Sequence, residues 1–128
     1  MSIVVTDETK PSLQGMEVWG GNRNAEETFA LPGLDVWLYS RAYKAEHGGD
    51  IHYLSTCAHA AVLRFAIADV AGHGAEVAPI AARFKRLIVK HMNKLDQSLL
   101  AKSLNNEFLH ESSAGLFVTT LLSSFYRP

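Results

Sequence analysis

The chain has little cysteine, almost no excess charge and no long uncharged apolar stretch. Cys57 is its one cysteine, so no internal disulfide can form, which fits a reducing compartment. A formal net charge of −1 gives no electrostatic reason to expect a nucleic acid or an anionic membrane as partner. No segment could span a bilayer, and the N-terminus lacks the basic and apolar regions of a signal peptide. These absences predict a cytoplasmic protein without a nucleic-acid or membrane partner.

The composition is that of an ordinary globular domain. Apolar residues make up 48% of the 128 residues and charged residues 20%. A chain of this length and balance fits one domain with a real hydrophobic core, and it excludes an intrinsically disordered protein.

The hydrophobic pattern predicts strands first, then two helices, then a last strand. Residues 1–33 contain scattered glycine and proline and are predicted to be an irregular segment, with 16–19 either a short strand or a strip packed on the sheet. The predicted strands are 34–42, 51–57, 62–70 and 116–126, with a polar turn at 43–50 and helices from Gly74 and from Asp96 or Ser98 to about His110. This order predicts an α+β fold, in which a mainly antiparallel sheet carries both helices on one face.

Two acidic residues stand beside glycines at the predicted ends of strands. Asp50 follows Gly48 and Gly49, and Asp69 precedes a turn that contains Gly72 and Gly74. Carboxylates are the ligands that hard divalent cations prefer, and glycine allows the backbone to come close behind them. If strands 51–57 and 62–70 form a hairpin, both carboxylates lie at one end of the sheet. There they could share a cation and activate a water for attack on phosphorus.

Each aspartate also has a plain structural interpretation, which the sequence leaves open. Asp50 could be an ordinary turn residue, and Asp69 could cap a helix that begins at Gly74. The four histidines near these motifs match no common zinc signature, so a zinc site is not expected. They are His47, His52, His59 and His73.

Three blocks of the chain resemble a known enzyme family. They are residues 48–50 (Gly-Gly-Asp), 68–74 (Ala-Asp-Val-Ala-Gly-His-Gly) and 115–122 (Gly-Leu-Phe-Val-Thr-Thr-Leu-Leu). The middle block is similar to the "D-V-S-G-H-G" signature of the stage II sporulation E-like phosphatases, with Ala71 in the serine position. These enzymes are a bacterial branch of the protein phosphatase 2C (PPM-type) superfamily. The last block resembles their "G-M-F-V-T-L" strand.

The resemblance implies a bacterial signalling enzyme that removes phosphate from serine or threonine on a phosphoprotein with two Mn²⁺ or Mg²⁺ ions. A metal-bound water would be the nucleophile, with no catalytic side chain and no covalent intermediate. Asp50, Asp69 and the main-chain oxygen of Val70 would be metal ligands. The supporting residues would be Gly49, Gly72, His73 and Gly74. Residues 34–128 would then form part of a PPM-type α/β/β/α sandwich.

Two departures from the family pattern limit this expectation. The family continues its first block with an aromatic pair and a second aspartate, where this chain has Ile51, His52 and Tyr53. The family's later blocks, "G-H-N-P" and "T-D-G", have no counterpart before Pro128. We therefore expect an incomplete metal site and exposed strand edges, which favour self-association or pairing with a missing second half. The alternative function is a non-catalytic phosphatase-like module that binds a regulatory protein.

Overall fold

The computed structural model describes residues 17–31, 33–57, 61–71, 77–111 and 116–127. Within these residues the chain forms six strands and two helices. In chain order they are β1 (Glu17–Arg23), β2 (Ala25–Leu31), β3 (Leu34–Ser40), β4 (His47–Cys57), β5 (Val62–Val70), α1 (Val77–His91), α2 (Gln97–Glu111) and β6 (Val118–Tyr126). The fold is α+β, as predicted.

The described strands form two sheets, and all their pairings are antiparallel. The larger sheet has four strands in the order β1-β4-β5-β6, and the smaller one is the hairpin β2-β3. Strands β4 and β5 pair as the predicted hairpin, without a break in register from Asp50 to Cys57. Strand β6 returns along β5 after both helices.

Alternation along the strands gives the larger sheet two apolar faces. Ile51 and Tyr53 of β4 belong to the core under the helices, together with Phe84 and Ile88 of α1. Leu54, on the opposite face of β4, belongs to a second core under the hairpin β2-β3. The sheet is therefore a middle layer between the two helices and the hairpin, and the prediction that both helices lie on one face is confirmed.

The prediction that residues 1–33 are irregular is wrong for 20–31, which form the rest of β1 and β2, whereas the alternative of a short strand at 16–19 is confirmed for 17–19. Gly20 lies inside β1 with φ +149°, where a side chain would collide with the main-chain oxygen of His52. This glycine therefore marks a close approach of two strands rather than a turn. In β2 only Phe29 and Leu31 are buried, too short an alternation to indicate a strand.

The predicted turn at 43–50 is also too long, because β4 begins at His47. An added Cβ at Gly48 would lie 3.1 Å from Cβ of Ala42, and one at Gly49 would lie 3.3 Å from the carbonyl oxygen of Val70. The two glycines thus allow close packing inside a strand, and Asp50 stands within β4 rather than at its start.

The helix boundaries follow local chemistry. Asp96 caps α2 as predicted, since its Oδ1 accepts a hydrogen bond from the main-chain N–H of Leu99 at 2.9 Å. Helix α1 is described from Val77, so its predicted start at Gly74 lies outside the described residues. Neither described helix is long and apolar enough to cross a membrane.

A buried arginine joins the sheet to the helices. Arg64 of β5 is 1% exposed, on the helix face of the sheet. Its Nη1 donates hydrogen bonds to the carbonyl oxygens of Met92 and Lys94, both at 2.6 Å, and its Nη2 donates to that of Leu95 at 3.2 Å. These carbonyls follow the C-terminal end of α1, where the helix dipole favours a positive charge. Arg64 therefore fixes the connection between α1 and α2 against the sheet.

We expect Arg64→Met to reduce the free energy of unfolding by about 3 kcal/mol, because it removes the buried donor of three part-buried hydrogen bonds to carbonyl oxygens. Arg86→Met, at an exposed position on α1, is the matched control and should change it by less than about 0.5 kcal/mol. Urea unfolding monitored by circular dichroism measures both. Equal losses in the two variants would contradict the role assigned to Arg64.

Candidate metal site

Asp50 and Asp69 stand directly opposite each other on β4 and β5. The hydrogen bonds between β5 and β6 show whether Asp50 and Asp69 form a hydrogen-bonded or a non-hydrogen-bonded pair. The N–H of Ala71 donates to the carbonyl oxygen of Phe117 at 2.9 Å, so the odd-numbered residues of β5, including Asp69 opposite Thr119, direct their main-chain groups to β6. Asp50 and Asp69 are therefore a non-hydrogen-bonded pair, the kind in which Cα atoms are only about 4.5 Å apart and side chains are closest. The structure thus brings together the two aspartates that the sequence predicted to converge.

The electrostatics of this pair are unfavourable in the absence of a cation. Burial raises the pKa of Asp50, and the charge of Asp69 and a hydrogen bond between the two side chains raise it further. Like charges directly opposite each other on antiparallel strands destabilise a sheet. A divalent cation between the carboxylates would remove this repulsion.

A cavity of about 500 Å³ opens beside the two aspartates. Besides Asp50 and Asp69, it is lined by Asn22, Val77, residues 40–45 and residues 47–49. Arg41 and Lys44 contribute positive charge to this lining. The cavity therefore combines carboxylates that suit a metal ion with cations that suit an anionic group.

The wall formed by residues 41–46 is held in place by Asn24. The Oδ1 of Asn24 accepts a hydrogen bond from the N–H of Ala42 at 2.6 Å, and its Nδ2 donates to the carbonyl oxygen of Ala45 at 3.2 Å. Its main-chain N–H donates to the carbonyl oxygen of Glu46 at 3.1 Å. One side chain thus fixes both ends of this loop.

Asn22 joins two secondary-structure elements on the other side of the cavity. This residue is 9% exposed, and its Nδ2 donates to the carbonyl oxygens of Gly48 at 3.0 Å and Ala78 at 3.1 Å. It therefore joins β4, just before Asp50, to the first turn of α1. Neither asparagine was predicted as a site residue, because asparagine among glycines is typical of a turn and carries no signal of a distant partner.

The remaining predicted site residues divide into two groups. Gly49 lies next to Asp50 and close to the carbonyl oxygen of Val70, whose side chain is 1% exposed in the core under the helices. Gly72, His73 and Gly74 lie outside the described residues. Their supporting role, and that of Val70 as a ligand, stay predictions.

The histidines in the described part of the chain do not extend the site. His47 lines the cavity, but no group of three histidine, cysteine, aspartate or glutamate side chains in that part could hold a metal ion. His52 is 4% exposed, and neither of its ring nitrogens has a hydrogen-bond partner among the described residues. Its ring instead lies 5.2 Å from that of Trp19, centroid to centroid.

Comparison of the chain with protein-family models, with curated proteins and with solved structures finds no significant match.

We expect Asp50→Asn to stabilise the metal-free protein by about 0.5 kcal/mol at neutral pH, because it removes one of two facing charges. The same change should abolish any increase in melting temperature caused by millimolar Mn²⁺. Asp35→Asn, at an exposed position on β3, should leave the response to Mn²⁺ unchanged. Differential scanning fluorimetry with and without Mn²⁺ compares the three proteins. A variant Asp50→Asn that still responds to Mn²⁺ would exclude Asp50 as a ligand.

The free energy of unfolding should depend on pH through His52. Burial lowers the pKa of His52 to about 4, with a further contribution from the charges of Arg23 and Lys85. Since an unfolded histidine titrates near 6.5, the unfolded chain binds a proton between pH 6.5 and 4 that the folded chain does not. The free energy of unfolding should therefore fall by up to about 3 kcal/mol over this range from this group.

His52→Phe should remove this part of the acid sensitivity, whereas His110→Gln, at an exposed position on α2, should not. Urea unfolding at pH 7 and pH 4.5 gives the difference for each variant. A loss of stability in the variant His52→Phe as large as that of the unchanged protein would contradict the assignment.

Proposed function

We propose that this chain provides a metal-dependent protein serine/threonine phosphatase domain of the PPM type, which hydrolyses phosphate monoesters on a phosphoprotein. The observation that carries the proposal is the non-hydrogen-bonded pair of Asp50 and Asp69 at the edge of a cavity. The motif resemblance supplies the reaction. The single cysteine favours a cytoplasmic location as part of the same proposal.

The side chains present fit a hard divalent cation. Two carboxylates offer up to about four oxygens, and Mg²⁺ in particular is commonly held by one or two carboxylates, with waters and substrate phosphate completing its shell. Asp50 and Asp69 would hold Mn²⁺ or Mg²⁺, with the carbonyl oxygen of Val70 as the third protein ligand. Such an ion, when bound, would polarise the phosphate ester and make a water more acidic.

The residues of the chain hold the two carboxylates in position and offer positive charge to a phosphate group. Asp50 and Asp69 are held on two paired strands, which are stiffer supports than loops. Arg41 and Lys44 line the same cavity and would attract a phosphate group carrying two negative charges. Asn24 keeps the loop that bears these cations in one conformation.

A second candidate function is a phosphatase-like module that binds a regulatory protein without catalysis. The observation that favours it is the number of ligands. In the described part of the chain no third acidic, histidine or cysteine side chain joins Asp50 and Asp69. Two carboxylates alone bind a hard divalent ion weakly, because such ions take six or more oxygen ligands.

Hydrolysis of p-nitrophenyl phosphate by the 128-residue chain separates the two functions. We expect Mn²⁺-dependent release of p-nitrophenol that falls at least about a hundredfold in Asp69→Asn, because a metal ligand is lost. Asp35→Asn, remote from the cavity lining, should retain full activity.

Two results would contradict the phosphatase proposal for this chain. One is the absence of hydrolysis at millimolar Mn²⁺ in a protein shown to be folded by circular dichroism, which favours the binding module. The other is a rate that Asp69→Asn leaves unchanged, which places any activity elsewhere.

A further inference from the structure

Strand β6 is an edge of the larger sheet, with a described neighbour on the β5 side alone. Its odd-numbered residues pair with β5 through main-chain hydrogen bonds, so its even-numbered residues direct their N–H and C=O groups outward. The carbonyl oxygen of Leu122 confirms this direction, because it accepts a hydrogen bond from Nε2 of Gln97 at 2.9 Å, away from β5. A carbonyl oxygen can accept two hydrogen bonds, so this contact leaves room for another donor.

The β6 edge lacks the features that protect exposed strands from pairing. Its nine residues, Val-Thr-Thr-Leu-Leu-Ser-Ser-Phe-Tyr, contain no charge, no proline and no glycine. Its register against β5 is unbroken from Val118 to Tyr126. The β1 edge, in contrast, has an irregularity in register between Gly21 and Arg23, and it contains charged residues. Natural sheets guard their edges with charges, bulges and proline, so β1 is guarded and β6 is open.

Apolar surface lies at β6 on both faces of the sheet. On the helix face a groove of about 290 Å³ runs between α2 and β6, with Leu104, Phe108 and Leu122 among its lining residues. On the opposite face Ile67 and Leu121 form a cross-strand pair and are 61% and 64% exposed. A strand added outside β6 would therefore have apolar surface beside both of its faces, and a charged side chain there would lose hydration.

The chain itself contains a strand that meets these requirements. Strand β6 has Val118 and Leu122 on one face and Leu121 and Phe125 on the other, and it is uncharged. The other described strands with a free edge, β1, β2 and β3, each contain at least one acidic residue.

We propose that the β6 edge binds the β6 edge of a second copy of this chain, antiparallel and about a two-fold axis. A register centred on Leu122 aligns all nine residues and places Thr120 opposite Ser124 of the second copy. Five hydrogen-bonded residue pairs would then supply about ten main-chain hydrogen bonds. Because the described strands leave the guarded β1 edge at each end of the joined eight-stranded sheet, that sheet closes as a dimer rather than growing into a fibre. This proposal does not depend on phosphatase activity.

The first test measures mass against concentration for the 128-residue chain by light scattering after gel filtration. We expect a monomer–dimer equilibrium whose dissociation constant rises at least about tenfold in Leu121→Lys, because in this register the two lysines are diagonal neighbours across the new pair, each opposite Ser123 of the other copy. Leu121 is 64% exposed, so the monomer should stay folded. Ala30→Lys, at an exposed position on β2, is the control and should dimerise normally. A monomer at all concentrations, or dimerisation unaffected by Leu121→Lys, overturns the proposal.

The second test identifies the surface by hydrogen exchange of single amides, measured by NMR. In the monomer the N–H groups of Leu121 and Ser123 are bonded to β5 and exchange slowly, while those of Thr120 and Ser124 exchange fast. In the dimer all four should exchange slowly, and Leu121→Lys should restore the alternation at Thr120 and Ser124. A dimer in which these two amides stay fast would show that another surface, such as the exposed part of α2, holds the copies together.

Discussion

The register of β4 against β5 is the constraint on which the rest of the site depends. It places Asp50 opposite Asp69 in the closest type of antiparallel pair, where two carboxylates repel each other. If this register shifted by one residue, one of the two aspartates would turn to the helix face of the sheet. Ile51 or Ala68 would then leave the core under the helices. The same apolar pattern that forms the core therefore holds the charges together, and the favourable energy of core packing exceeds the local repulsion.

Contacts outside the two strands reinforce this register. Arg64 ties β5 to the end of α1, and Asn22 ties β4 to the beginning of the same helix. Because one helix is bonded near both of its ends to the two strands of the pair, sliding of one strand along the other would break hydrogen bonds of a buried cation and a buried amide. Such bonds are costly to lose, since their groups cannot reach water. Helix α1 thus acts as a brace for the aspartate pair.

Local patterns in the sequence predicted much of the fold and the centre of the site. Apolar periodicity predicted strands β3, β5 and β6 and both helices. The short connection between β4 and β5 predicted a hairpin, and with it the convergence of Asp50 and Asp69. The continuation of β1 beyond residue 19 could not be predicted in this way, because Gly20 is required by its close contact with the distant His52 carbonyl rather than by its neighbours in the sequence. The roles of Asn22, Asn24 and Arg64 depend on partners at least eighteen residues away. Side-chain to main-chain bonds of that span leave no periodic signal.

The open edge and the aspartate pair are connected through β6. This strand pairs on its inner side with β5, where Thr119 stands opposite Asp69 and its Oγ1 donates to the Asp69 main-chain oxygen at 3.4 Å. On its outer side the same strand offers the hydrogen-bonding groups that a second copy would use. A strand bonded on both sides has less freedom to bend or fray than an edge strand. Pairing at β6 would therefore stiffen the neighbour of Asp69, so association between copies would favour a well-defined distance between the two carboxylates and thereby the binding of a cation between them.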